Sequence, residues 1–222
     1  MIKIEKKVKA LITLRGGSTR LKGKCMKEIL PGVPLAKHTL DKCKRSEFID
    51  EIYCSTSSKR YAKIMKDWGC KIIKRPAKLS KNNVANLDVY KHAVEHMNLR
   101  DGDYMVHVDI TKPLTTVETI DNVITEAALN VCDSLFIIKK ISGYMLNDTA
   151  VVSQDRPKDE IKYKHFGAVR LFTKKTIQNA ELGTWGVGMC HGTLELEDYE
   201  IDVDYEWQFI CAQALLKAGF GE

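Results

Sequence analysis

At 222 residues, with 44% apolar and 29% charged residues, the chain has the make-up of a water-soluble globular protein with one good core. It contains no apolar run long enough to cross a bilayer, and the opening M-I-K-I-E-K-K lacks the apolar stretch of a secretory leader. A formal charge of +6 invites anionic partners; without an aromatic-basic repeat or a nucleic-acid motif, a small anion accounts for it better than DNA or RNA does. Seven cysteines without a C-x-x-C pair point to reduced thiols in a cytoplasmic setting rather than zinc or a disulfide framework.

The first predicted element is a strand over Val8–Leu14 that breaks into Arg15-Gly16-Gly17-Ser18. Glycines admit close approach of a ligand to backbone, and their amides can converge on an anion. Arg15, Arg20, Lys22 and Lys24 add four cations within ten residues. A polyphosphate cradle is one reading and a solvated basic turn the other; the spacing is neither that of a Walker loop nor G-x-G-x-x-G.

Beyond it, the pattern predicts a turn at Pro31–Pro34, helices from Leu35 and Lys59, and strands over Ile49–Ser55 and Cys70–Ile73. A polar stretch follows from Arg75 to Asn86, in which Asn82, Asn83 and Asn86 offer amides to a base or serve as turn and cap residues. Next come a helix over Leu87–Met97, a strand over Tyr104–Val108, and a helix from Val117 capped by Thr116. A strand over Asp133–Ile138 precedes an irregular polar arm, 142–165. The remainder reads as a strand over Gly167–Phe172, a helix from Lys174, a loop rich in Gly and Trp, a strand near Thr193–Leu196 and a last helix over Glu206–Lys217. Strands alternating with helices predict an α/β fold: one domain, Rossmann-like, three layers around an open, mostly parallel sheet. Ligands then bind beyond the carboxyl ends of the strands, where the Arg15 loop and Asp109-Ile110-Thr111 fall.

Ile201-Asp202-Val203-Asp204, read as extended, puts both carboxylates on one face, a pair that suits a divalent cation such as Mg²⁺ (or Mn²⁺). Asp109, ending a predicted central strand, is the third candidate metal ligand; turn or cap duty is the alternative for all three. His107 points the same way as Asp109 and reads as a core or supporting histidine. Cys25 reads as packing, and Trp207 as packing core or interface. Lys112 reads as a solvated lysine that could meet a substrate carboxylate.

Arg15-Gly16-Gly17-Ser18-x-Arg20-x-x-x-Lys24 resembles the N-terminal signature of the sugar nucleotidyltransferases, above all the cytidylyltransferases that make CMP-activated acidic sugars, of the acylneuraminate type. Asp202-Val203-Asp204 with Glu206 resembles that family's metal-binding acids. The resemblance spans Leu11 to Leu216. Cys25 replaces an Asn, Ser57 an acid and Phe166 a sugar-proximal Asn. Asp109 replaces a sugar-contacting Gln, and Asp109 with Lys112-Pro113 is more like the D-A-A-R-P of the methylerythritol-phosphate cytidylyltransferases. The resemblance implies a nucleotide-diphospho-sugar transferase fold, CTP as substrate and a homodimer whose arm reaches the neighbouring site. It implies catalysis by Arg15, Lys24, Asp109 and Asp204. Nucleotide contacts fall to Leu14, Arg15, Gly16, Gly17, Ser18, Arg20, Lys24, Asn83, Asn86 and Asp109, and sugar contacts to Thr111, Lys112, His165 and Phe166. Transfer to a sugar phosphate or alditol phosphate, or nucleotide binding without catalysis, are the alternatives.

Overall fold

The computed structural model describes residues 4–18, 20–81, 83–141, 146–147, 150–151, 162–181, 191–195 and 201–222. Its strands and helices, in chain order, are β1 (Val8–Leu14), β2 (Glu28–Leu30), β3 (Val33–Pro34), α1 (Leu35–Arg45), β4 (Glu51–Thr56), α2 (Lys59–Asp67), β5 (Lys71–Lys74), α3 (Asn86–His96), β6 (Tyr104–Val108), α4 (Val117–Leu129), β7 (Ser134–Ile141), β8 (Leu146–Asn147), β9 (Ala150–Val151), β10 (Lys162–Thr173), α5 (Lys174–Asn179), β11 (His191–Glu195) and α6 (Glu206–Lys217).

Seven strands form one sheet in the order β11-β7-β10-β6-β1-β4-β5. β1 runs parallel to both β4 and β6, β4 to β5, and β11 to β7, whereas β10 is antiparallel to β6 and β7. The expected mostly parallel α/β sheet is therefore present, with one reversed strand set into it. β1 lies inside the sheet between β6 and β4, and Val8, Ala10, Leu11, Ile12 and Leu14 are sealed from solvent because helices cover both faces. One apolar layer joins the sheet to α1, α2 and α4 through Leu40, Met65, Val123 and Ile124. The other joins it to α3 and α5 through Leu87, Tyr90, Val94 and Ile177.

A third apolar cluster has a different task. Leu21, from the loop after β1, packs with Leu35, Leu114, Val203 and α6 residues Phe209, Ala212 and Leu216. Val203 is fully buried while Asp202 beside it is exposed and Asp204 half-buried. Burying such a side chain contributes roughly 1.5–3 kcal/mol, enough to hold the two acids beside the early loop.

Three expectations need correction. Residues 201–204 join no strand ladder among the described residues; the acids flank a buried valine whose amide bonds Thr111 O at 2.8 Å. β7 and β10 are longer than expected, because Lys139, Lys140 and Lys162–Lys164 extend a paired ribbon where their charge had argued for loop. Of the two places read for Trp207, core and interface, the core is excluded, since the side chain is 63% exposed. Within the arm, β8 and β9 pair as a short hairpin, and the rest of 142–161 lies outside the described residues.

Candidate active site

The loop after β1 begins at a carbonyl fixed from an unexpected quarter. Arg75, buried at the end of β5, donates from its guanidinium to Leu14 O at 2.6 Å, and its own amide bonds Thr56 O. Its Nε is buried with no hydrogen-bond partner among the described residues. Sequence reasoning passed over Arg75; the available signal was an arginine between a short strand and a proline, with no acid nearby to match it.

Gly16 and Gly17 are exposed, and neither has positive φ. A Cβ at Gly17 would meet nothing within 4 Å, and one at Gly16 would make only ordinary contact with Ser58 at 3.4 Å. The fold itself therefore has no need of glycine at 17, and close approach from outside is the physical reason left for it. Cys25 is buried behind the loop, with its thiol 3.9 Å from Arg15 O; burial pushes its pKa up, so it packs rather than reacts.

The far end of the loop clasps the late acids. Lys24 Nζ donates to Val203 O at 2.7 Å and to Asp204 Oδ1 at 2.9 Å, across 179 and 180 residues of sequence. Arg20 reaches Asp204 Oδ2 at 2.8 Å, and its guanidinium lies 5.5 Å from the Tyr205 ring centre. Lys27 pairs with Glu206 and sits over Phe209. The clasp is completed at the start of α6, where Gln208 Oε1 accepts from the amides of Asp204 and Tyr205, both at 2.8 Å.

Asp109 directly follows β6, with its amide bonded to Ala168 O on β10 at 2.9 Å. Its Oδ1 accepts from Thr111 N at 3.0 Å and Thr111 Oγ1 at 2.9 Å, an Asx turn that folds the loop back. Thr111 O in turn accepts from Val203 N, so Asp109, Thr111, Val203, Lys24 and Asp204 form one continuous chain of bonds. α1 pins the same loop from beneath: Lys42 Nζ donates to Pro113 O and Thr115 O, both at 2.7 Å, and His38 Nε2 donates to Pro113 O at 3.0 Å. Burial raises the cost of charging Asp109, but His107, Arg170 and the two Thr111 bonds outweigh that and hold its pKa below the usual carboxylate value.

Lys112 is not a solvated lysine. It is 8% exposed, and its ammonium faces Asp202 Oδ2 at 3.3 Å. His107 is a buried supporting histidine, as expected, touching Thr13 Oγ1 at 3.3 Å and Arg170 at 3.4 Å; burial pushes its pKa down to about 4. Asn83 and Asn86 are exposed and neither caps α3, whose cap position is Ala85 and carries no side-chain bond. Asn82 lies outside the described residues. His165 and Phe166 pair in β10 with Ile138 and Ile137, and the description there extends to backbone only.

The rim therefore brings together Arg15, Gly16, Gly17, Arg20, Lys24, Asp109, Thr111, Lys112, Asp202 and Asp204. Among the described residues no three His, Cys, Asp or Glu side chains converge as a closed metal cluster. The oxygen-only pair Asp202 and Asp204 fits a hard cation that takes one or two carboxylates and completes its shell with phosphate oxygens and water.

Comparison with known proteins agrees with this geometry. A family model described as Cytidylyltransferase matches residues 9–182, and the chain belongs to that family. It is 25% identical over 153 residues to 3-deoxy-manno-octulosonate cytidylyltransferase 2 of Hydrogenovibrio crunogenus, covering 69% of this chain and 58% of that protein. It is 24% identical over 228 aligned positions to N-acylneuraminate cytidylyltransferase of Oncorhynchus mykiss, covering 96% of this chain and 51% of that one. The chain thus spans a little over half the length of these curated relatives. In fold it is similar to a CMP:2-keto-3-deoxy-manno-octonic acid synthetase solved with CTP, with TM-score 0.76 at 15% identity over 97% of this chain and all of the other. It is also similar to 4-diphosphocytidyl-2C-methyl-D-erythritol synthase of Anaerococcus prevotii, with TM-score 0.68 at 18% identity over 96% of each chain.

Proposed function

We propose that the chain transfers CMP from CTP to an acidic, 2-keto-acid sugar and releases pyrophosphate. The observation that carries this reading is the clasp of Lys24 on Val203 and Asp204, which sets a glycine loop suited to phosphate against acids suited to a cation. The relatives named above act, by name, on octulosonate and acylneuraminate acceptors.

The triphosphate lies along the glycine loop, with the amides of Gly16, Gly17 and Ser18 directed at its outer phosphates. Arg15, Arg20 and Lys24 offset charge that gathers on the leaving oxygen. Lys24 and Arg20 exchange Asp204 for phosphate, which leaves the Asp204 carboxylate available as a ligand. The sugar hydroxyl oxygen forms a bond to the α-phosphorus, the bond to the bridging oxygen breaks, and pyrophosphate departs with that electron pair. The hydroxyl proton goes to water; an anomeric hydroxyl beside a keto-acid carboxylate is acidic enough to need no strong side-chain base. Asp204 and Asp202, with Asp109, would hold Mg²⁺ or Mn²⁺. Such an ion supplies charge neutralisation at the phosphates and acidifies the attacking hydroxyl. Leu14, Asn83 and Asn86 belong to the nucleotide side of this reading, and Thr111, Lys112, His165 and Phe166 to the sugar side.

A homodimer through 142–165 and a cytoplasmic setting belong to the same proposal. The described cysteines, all free, suit a reducing compartment. Asp109 and Lys112 favour a second reading, transfer to a sugar phosphate or alditol phosphate.

Pyrophosphate release from CTP with Mg²⁺ is the test, across 3-deoxy-manno-octulosonate, its 8-amino analogue, N-acylneuraminate and an alditol phosphate. Release with an acid supports the first reading, and release with the phosphate alone supports the second. CTP binding without release from any acceptor rejects both and favours a non-catalytic relative.

A further inference from the structure

β10 carries an arginine that none of the sequence motifs absorbed. Arg170 pairs in register with His107 on β6, one residue pair from the end of the β6–β10 ladder and close to Asp109. Between Phe166 and Arg170 the pairing of β10 with β7 slips, so the strand bulges there. The bulge contains Gly167, and the guanidinium fills the space a side chain would take: a Cβ at 167 would lie 2.2 Å from Arg170 Nη2 and 3.0 Å from its Cζ. Gly167 and the bulge together make a berth for this one side chain.

The berth is also aimed. Arg170 Nη1 donates to Tyr90 Oη at 3.1 Å and faces His107 Nδ1 at 3.4 Å. Tyr90 is fully buried on α3 and His107 is buried on β6, so both are rigid partners. These two neighbours orient the guanidinium, which also lies near enough to the Asp109 carboxylate to help hold that acid's pKa down. Arg170 is only half-buried and stands at the carboxyl edge of the sheet, where ligands bind.

We propose that Arg170, berthed by Gly167 and oriented by Tyr90 and His107, binds the carboxylate of the acceptor and thereby selects acidic sugars. The proposal rests on the CMP-transfer reading for the identity of the acceptor. A planar guanidinium takes a carboxylate through two parallel bonds, a geometry a lysine cannot reproduce. Placing that carboxylate near Asp109 sets the adjoining anomeric hydroxyl toward the rim that holds the phosphates.

The test is calorimetric binding of 3-deoxy-manno-octulosonate and N-acylneuraminate, each beside its methyl ester, to protein loaded with a non-hydrolysable CTP analogue and Mg²⁺. The wild type should prefer at least one free acid over its ester by about 30-fold or more, as expected for loss of a bidentate ion pair. Arg170→Gln should reduce that preference to about threefold or less while leaving affinity for the CTP analogue unchanged. Arg170→Lys should fall between. Gly167→Ala, which evicts the guanidinium from its berth, should reproduce the glutamine result, and it carries the test with Arg170→Lys where Arg170→Gln does not fold.

Persistence of the preference in the variants overturns the proposal. So does a wild type that binds acid and ester alike or neither, or that selects an alditol phosphate through Arg170 instead. Pyrophosphate release on the same samples separates the two readings. An Arg170-dependent preference without release sinks the transfer reaction and leaves the anion site standing. Release with a preference indifferent to Arg170 does the reverse.

Discussion

Both ends of the sheet are densely charged, yet they are built in opposite ways. At the amino end of the strands, acids are tied to backbone. Asp103 accepts from the amides of Lys7 at 3.0 Å and Arg100 at 2.9 Å, and Asp50 accepts from Val8 N at 2.8 Å. Lys9 Nζ is spent on Met97 O and Asn98 O, both at 2.9 Å. At the carboxyl end, the Asp204 carboxylate pairs, among the described residues, with two side chains, Arg20 and Lys24, and with no backbone amide. The first arrangement closes off chain ends and turns, and removing a member strands a backbone group. The second can be exchanged for a ligand at modest cost. Charge density alone does not mark a site; what sets Asp204 apart is that its carboxylate accepts from side chains, whereas Asp103 and Asp50 accept from backbone amides.

That contrast sets the order of expected effects. Asp204→Ala should lower kcat/KM for pyrophosphate release by about 10³-fold or more, since it removes electrostatic support at the reacting phosphates, while leaving the unfolding temperature within a few degrees. Retention of a tenth of the activity would remove Asp204 from the machinery. Lys24→Met should cost about 10²-fold in kcat/KM, and Arg20→Ala about tenfold because its guanidinium is exposed and screened. Asp103→Ala should behave in the opposite way. It leaves two backbone amides without their acceptor, so urea unfolding should register a loss of about 1–3 kcal/mol with turnover per folded molecule unchanged. A fall in turnover there would erase the distinction between the two ends.

The smallest effect concerns pH. Burial, aided by the nearby charge of Lys42, pushes His38 down to about 4, against about 6.5 in the unfolded chain. Between those values the unfolded state binds the extra proton, so this group's contribution is present above pH 6.5 and is lost as pH falls toward 4. Urea midpoints measured from pH 7 to pH 4 should decline, and His38→Asn should flatten the decline. An unchanged slope in the variant would place the titration elsewhere.

Much of this was legible in the residues. β1 and β6 have the predicted bounds because alternating helices bury them on both faces and leave a clean apolar run, and α6 is likewise as read. The glycine loop and the paired acids were visible because their chemistry is concentrated in short motifs. What escaped was chemistry carried by single residues whose meaning depends on distant partners. Arg75 matters through Leu14 O, and Arg170 through Gly167, Tyr90 and His107. Lys112 read as solvated because nothing local says that the Asp109 turn folds it back onto Asp202. The acids at 202 and 204 read as a strand, but burial of Val203 against Leu21 and Leu114, rather than a ladder, holds them in place.

The central claim is that the glycine loop and the late acids form one triphosphate site, which the amino end of the sheet does not share. Calorimetric titration of CTP with Mg²⁺ into wild type, Lys24→Met and Lys7→Met tests it most directly. Loss of affinity by about 30-fold in Lys24→Met, with Lys7→Met equal to wild type, is the predicted result. Three indistinguishable isotherms would contradict the account.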